Sequence, residues 1–427
     1  MQAMKSLREQ LGAFALHSHL ETGNLWTYDR DRRVSRWCLA SSVTWHEYAQ
    51  TGVFRPVKRR GTTFRSHWEE WVSIPQFEPP SAPMDYPGLE NFGLSSVAEL
   101  PPDIKVDALE CPAAQSGGRQ QGVKTLQSFL ESRGQHYSSK MSSPLSAENS
   151  CSRLSPYLTY GCLSLREVAQ EISSAQLRTK DAIWRKSLGA CRKRLWWHCY
   201  WMQTLENNPA VETTSLSAPM ALLHRPFHLE RFLAWKNGRT GWPMVDACMR
   251  YLHHHGWINF RMRAMLVTSA TCTLSLPWQP VAEWLGQMFV DFEPGIHYPQ
   301  IQMHSATVSG TVLRIYNPVV QAQTLDPHGI FVRQWVPELR GVSDSWIFRP
   351  WDMPASLRLR FGLIEKSDYP SPLVDFETAN RAARQHITNL RQAHCLEPAP
   401  GFNERRQRSE QKKISKEIIQ PLQGQLF

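Results

Sequence analysis

Residues 238–265 read GRTGWPMVDACMRYLHHHGWINFRMRAM, and this stretch sets the architecture. A proline after the Gly-Trp turn is tolerated in a first helical turn, so a helix is predicted over Pro243–His254. Gly256 punctuates it, and a second helix is predicted over Ile258–Leu274. Working outward, Val281–Asp291 downstream and the long amphipathic run Asp181–Glu206 upstream repeat the pattern, with proline or glycine at most junctions. From about residue 122 the pattern stays helical almost to the end. The expectation is a mainly α chain with a large all-helical domain over 121–395.

The amino-terminal part reads differently. Residues 4–11 form a short predicted helix, Ala13–His17 (AFALH) a buried strand, Trp26–Ser42 a helix and Thr44–Tyr48 (TWHEY) a second strand parallel to the first. This is a partial α/β, Rossmann-like segment over 1–54, and two strands are too narrow to stand alone. Residues 55–120 turn basic (RPVKRRGTTFR) and then proline-rich (PQFEPPSAP, LPPD), which marks a connection between domains. Residues 396–427 carry ERRQRSEQKK and read as a basic, solvated, disordered tail.

Composition narrows the function classes. Lys plus Arg number 48 against 38 Asp plus Glu, a net charge of +10, which favours a polyanionic partner. No run approaches the roughly 18 apolar residues of a spanning helix, and the start lacks a signal-peptide core, so a cytoplasmic protein with no membrane association is expected. Nine cysteines with no Cys-x-x-Cys pair fit reduced thiols, and no metal site is expected. Seventeen tryptophans point to a large aromatic core or to a stacking and electron-transfer role.

The segment CSRLSPYLTYGCLSLREV (151–168) combines small hydroxyl side chains, free backbone N–H groups and a helix opening near Leu163. It reads either as a cradle for a phosphate or as a serine-capped helix start. It is followed by the 238–265 stretch, then by FVDFEPGIHYPQIQM (289–303) and RIYNPVVQAQTLDPHGIFVRQWVPEL (314–339). This ordered series resembles the photolyase/cryptochrome flavoproteins, with their Ser-x-Leu-Ser loop, Gly-x-Thr-Gly-x-Pro-x-Val-Asp-Ala helix, Gly-Trp-x-x-x-Arg helix and Arg-Ile-x-Asn-Pro close. The opening HSHLETGNLWTYDRDRRVSRWC (17–38) resembles the last part of the same family's antenna domain, so a truncated antenna domain without its first three strands is expected.

The resemblance implies FAD as cofactor, with Tyr137, Cys151, Ser152, Arg153, Leu154 and Ser155 on its phosphates and ribityl chain. Cys151 stands where a threonine is common, and a thiol is a poorer donor. Asp291 and Glu293 fall on the family's acidic pair beside the flavin, with Arg263 expected to pair with Asp291. His297 falls at the position facing flavin N5, usually asparagine, where an imidazole could hold or pass a proton. Trp278 matches the middle of the family's electron-carrying tryptophan chain, but Ile301 and Arg225 replace its proximal and surface members. An antenna chromophore is not expected.

For a flipped lesion in DNA the resemblance implies Trp197, Trp257, Asn259 and Arg261, while Phe260 and Met303 depart from the asparagine and tryptophan usual there. Trp196, Trp197 and Trp201 also read as one packed helix face. The leading expectation is a monomeric, light-dependent enzyme that splits pyrimidine dimers in ultraviolet-damaged DNA by electron transfer from FAD. The alternative is a cryptochrome-like receptor that binds FAD without repair, and a light-insensitive flavin scaffold is the third reading. The terminal Gln423–Phe427 (QGQLF) resembles the short motif by which bacterial repair proteins dock on the sliding clamp, and equally reads as a chance ending.

Overall fold

The structure, a computed structural model, describes residues 2–12, 14–55, 63–77, 111–308, 314–363, 369–394 and 396. The basic tail with Gln423–Phe427, and most of the connection read over 55–120, lie outside these residues.

Asp181 opens the longest helix, Ala182–Asn207, by accepting from Ile183 N and Trp184 N at 2.8 and 3.4 Å. Leu188, Cys191, Leu195, Cys199 and Met202 are buried along it at the three-and-four spacing of a single apolar face. That face packs with Val168, Ala169 and Ile172 of the helix Leu165–Arg178, which a Ser164–Glu167 capping box opens. A third wall was missed in the sequence. Within the stretch read as a connection, Phe64–Ser73 is a helix that buries Trp68, Trp71 and Val72 in the same core. The proline and charge of its surroundings hid ten residues whose apolar positions fall at i, i+3 and i+4. Cations seal it: the Arg192 guanidinium lies 5.0 Å from the Trp68 ring centre and donates to Glu69 at 3.1 and 2.6 Å.

At the amino terminus, helix Gln2–Leu11 precedes strand β1 (Ala15–Leu20), helix Leu25–Ala40 and strand β2 (Thr44–Ala49). The strands pair in parallel from Ala15 opposite Thr44 to Leu20 opposite Ala49. β1 starts two residues later than predicted and is not buried: Leu16, Ser18 and Leu20 are half-buried, and the residues between them are exposed. Its sequence ALHSHL alternates, and an alternating strand covers one face only.

By its own contacts the chain divides into two compact units, Met1–Glu212 with Arg250–Asn259 and Gly286–Tyr298, and Thr213–Met249 with Phe260–Leu285 and Pro299–Phe427. The α/β segment thus belongs with the first helices of the helical domain, a different partition from 1–54, 55–120, 121–395 and 396–427. The predicted helix Ile258–Leu274 begins instead at Phe260 and turns π-helical at Ser269–Thr273. The helix predicted at Val281–Asp291 is Trp278–Met288, because Pro280 sits in its first turn, where the missing N–H costs nothing.

Local polar closures explain the quoted motifs of the second unit. Asp246 is fully buried and accepts from Thr240 N, Thr240 Oγ1, Gly241 N and Tyr369 Oη at 2.8, 2.7, 3.0 and 2.6 Å. Asn317 caps Pro318–Leu325 through Val319 N and Val320 N at 3.0 and 3.2 Å. Asp326 accepts from Phe331 N and Val332 N at 3.2 and 3.0 Å. No helix among the described residues is long and apolar enough to cross a membrane.

Candidate functional site

In the first unit the loop 151–154 joins helix Pro144–Ser150 to the short helix Ser155–Thr159. Arg153 sits at φ +59° and Leu154 is right-handed, a succession that curls backbone N–H groups toward one concave side. Side chains hold the loop from outside. Arg133 donates to Cys151 O, Ser152 O and Thr125 O at 2.7, 3.3 and 3.0 Å, and Gln115 Nε2 donates to Arg153 O at 3.0 Å. The Cys151 thiol lies 3.9 Å from Met141 O. Tyr137 is buried edge-on against Phe129, and burial pushes its phenol well above the ordinary value.

The Arg153 side chain is the singular feature of this loop. It is buried, its guanidinium lies 3.9 Å from the Trp257 ring centre, and its Nη1 has no hydrogen-bond partner among the described residues. Burial pulls its pKa down, against the opposing pull of Tyr251, Glu148 and Asp291. Tyr251 Oη donates to Glu148 at 3.3 Å, and His255 stacks on Tyr251 with ring centres 4.0 Å apart. A buried cation lacking one hydrogen bond is what an anionic ligand completes.

Trp257 and Asn259, expected on a DNA-facing helix, precede that helix and turn inward. Trp257 is buried beneath Arg153, and Asn259 Nδ2 donates to Met141 O and Ser142 O at 3.0 and 2.8 Å, tying it to the turn before helix Pro144–Ser150. Gly256, at φ +60°, makes this turn, and any Cβ there would meet Val290 Cγ1 at 2.5 Å.

A second cluster of this unit surrounds the acidic pair. His198, which sequence reasoning passed over, lies with Nε2 3.0 Å from Glu293 Oε2. Burial alone would lower its pKa, but Glu293 and then Asp291 outweigh that and raise it. His198 sits one residue from Trp197 on a helix face that reads as aromatic, so only the fold could reveal its partner. His297 is buried among Phe289, Phe292 and Tyr298, with ring centres 6.0, 5.1 and 5.3 Å away. Trp197 belongs to an aromatic patch, edge-on to Trp196 at 4.8 Å and stacked on Trp201 at 6.0 Å. The carboxyl ends of the two strands open on a cavity of about 1210 Å³ lined by Thr22, Arg30, Trp45, Gln50 and Arg166 among others.

The second unit holds Trp278, buried at the start of its helix, and Ile301, also buried. Arg225 donates to Ser305 O at 2.8 Å and is desolvated enough to lower its pKa. Arg261 lies 5.4 Å from the Tyr316 ring centre, and Met303 is half-buried. Arg263 is half-buried in this unit, whereas Asp291 belongs to the first.

Residues 191–389 match the family model described as the FAD binding domain of DNA photolyase. Over these residues the chain carries a domain of the photolyase/cryptochrome family. Within that family it is 28% identical over 370 residues to Cryptochrome-2 of Arabidopsis thaliana, covering 82% of this chain and 58% of that protein. It is 30% identical over 318 residues to Cryptochrome-1 of Sinapis alba, covering 73% and 62%. To the deoxyribodipyrimidine photo-lyase of Alkalihalophilus pseudofirmus it is 28% identical over 268 residues, covering 62% and 54%. The chain therefore spans little more than half the length of these photolyase and cryptochrome relatives. The fold is that of two solved members. A bacterial class III photolyase from Agrobacterium tumefaciens matches with TM-score 0.76 and 22% identity, over 92% of this chain and 82% of that one. The cryptochrome of Synechocystis sp. PCC6803 matches with TM-score 0.77 and 24% identity, over 90% and 81%.

Proposed function

We propose that this chain binds FAD and repairs pyrimidine dimers in ultraviolet-damaged DNA under blue light. The observation that carries the cofactor reading is Arg153: a buried guanidinium stacked on Trp257, with Nη1 unpaired, beside a loop whose backbone curls toward one side. Those residues fit a diphosphate, which would accept from Arg153 and from the loop's N–H groups and hydroxyls. Tyr137, Cys151, Ser152, Leu154 and Ser155 complete this part of the cofactor assignment, with Asp291, Glu293 and Arg263 as its acidic and basic contacts. When bound, FAD supplies the light-absorbing centre that donates and recovers one electron.

The chain's own residues do the rest. His198, whose pKa Glu293 and then Asp291 raise in spite of burial, stands 3.0 Å from Glu293 as the basic neighbour of the acidic pair. His297, walled by aromatic rings, holds a proton position at its imidazole nitrogens. Trp278 is the assigned electron carrier, and Trp197, Arg261 and Met303 are the assigned contacts to a flipped base. A net charge of +10 draws the phosphate backbone of DNA.

A cryptochrome-like receptor is the second reading, favoured by Ile301 and Arg225 where a carrier chain would need indoles. One experiment separates the two: blue-light repair of a dimer-containing oligonucleotide by the purified protein. Restored thymines support repair. Flavin photoreduction with no restored thymine sinks repair and leaves the receptor. The absorption spectrum of the purified protein tests the reading of an antenna-free protein, which a second bound chromophore would overturn. Docking of Gln423–Phe427 on a sliding clamp is a separate part of the proposal, tested by binding of a 415–427 peptide with and without Leu426→Ala and Phe427→Ala.

A further inference from the structure

Helix Pro294–His304 ends on a histidine that nothing above uses. His304 Nε2 is buried and has no hydrogen-bond partner among the described residues. Its ring is tilted against Phe260 at 5.9 Å and Tyr316 at 6.3 Å, and Phe260 is 45% exposed, so the cluster reaches solvent. Arg261 lies over Tyr316, and Arg314, two residues before Tyr316, is exposed. From the π-helical turn, the Cys272 thiol lies 3.9 Å from His304 O, and Arg225 holds the next carbonyl, Ser305 O, at 2.8 Å.

We propose that His304 is a proton-coupled phosphate reader: a nucleic-acid phosphodiester seated between Arg261 and Arg314 is bound together with one proton, taken up at the unpartnered Nε2. The physical reason is a sign reversal. In the free protein, burial and then the positive charges of Arg314 and Arg261 push the imidazole down to about 4, so it is neutral at ordinary pH. A phosphate placed among the same groups replaces net repulsion by attraction, and the protonated ring then donates from Nε2 to a phosphate oxygen. The diester stays a monoanion throughout, so the one proton gained resides on His304. Phe260 offers an apolar ring for the adjoining base, which its exposure would otherwise leave in water.

This inference rests on the nucleic-acid reading above, and its test keeps the two apart. Affinity of the full chain for a short oligothymidylate is measured at about pH 7.5 and about pH 5.5, for the wild type and for His304→Gln. If binding brings His304 back to the ordinary imidazole range, the wild type gains about tenfold on acidification beyond whatever His304→Gln gains. The His304 imidazole C–H resonance, identified by its loss in the variant, should titrate near its low value alone and move upward with oligonucleotide bound. Should His304→Gln fail to fold, Arg314→Gln serves instead, since losing one repelling charge must raise the free value and shrink the acid gain. Oligonucleotide binding that Arg261→Ala weakens, with the same pH profile in wild type and His304→Gln, overturns the switch and leaves the nucleic-acid reading. A resonance shifted by inorganic phosphate, with no oligonucleotide binding at either pH, keeps the anion site and sinks nucleic acid as its occupant. If neither anion moves the resonance, the proposal is wrong.

Discussion

Asp246 and Arg153 are both buried charges in motifs visible in the sequence, and they are treated in opposite ways. Asp246 is saturated by the chain itself, with four donors between 2.6 and 3.0 Å. Arg153 is left one hydrogen bond short. A buried charge costs several kcal/mol unless it is paired, so a chain that closes one site fully and leaves another open reveals which belongs to the architecture and which awaits a ligand. The motif Gly-x-Thr-Gly-x-Pro-x-Val-Asp is a backbone clasp, and the open hydrogen bond of Arg153 is what supports the proposal that the Ser-Arg-Leu-Ser loop receives a ligand.

The comparison is broken most severely at its closed end. Asp246→Ala strips the acceptor from two backbone N–H groups, a threonine hydroxyl and a tyrosine hydroxyl, and should lower the unfolding free energy by about 3–5 kcal/mol in denaturant titration. A loss below about 1 kcal/mol would mean that the clasp is not structural. Asn259 sharpens the boundary between the two kinds of residue. Since both its hydrogen bonds run to Met141 O and Ser142 O, Asn259→Ala should cost about 1–3 kcal/mol of stability. A variant that melts like the wild type but loses DNA affinity would return Asn259 to the substrate side.

A smaller, pH-dependent effect separates His198 from both. Its folded pKa is raised above the ordinary imidazole value by Glu293 and Asp291 in spite of burial. The stability it contributes is therefore complete below the ordinary imidazole range and lost as pH rises through the raised folded value. The melting-temperature gap between wild type and His198→Leu should narrow, or reverse, on going from about pH 6 to about pH 9. A gap that widens toward alkaline pH would give the interaction the wrong sign.

Much of this was legible in the sequence for identifiable reasons. Proline, glycine and capping residues mark the helix ends, and Asp181 and Ser164 do cap where side-chain chemistry says they should. The 151–155 loop stood out because small hydroxyl residues before a helix start suggest an anion cradle, while Arg153 itself was singled out only through the family resemblance. The contact of Trp257 with Arg153 was not legible, since a Gly-Trp pair opening a helix gives no sign that the indole turns back onto the loop residue more than a hundred positions earlier. His198 and His304 were invisible because one sits in a run of indoles and the other between a methionine and a serine. Only folding brings a carboxylate to the first and two guanidinium groups to the second. The helix Phe64–Ser73 was lost for a simpler reason, composition averaged over too long a window.

The central claim, that Arg153 is a ligand position and not a structural one, is tested most directly by titrating FAD into flavin-free wild type and Arg153→Met while following flavin fluorescence. The hydrogen bond lost is charged on both sides, so affinity should fall by about 1.5–3 kcal/mol, roughly tenfold to a hundredfold. The unfolding free energy of the flavin-free protein should stay within about 1 kcal/mol, because removing a desolvated guanidinium offsets the lost stacking on Trp257. Undiminished FAD affinity in Arg153→Met, or a loss matched by an equal loss of stability without ligand, would contradict the account.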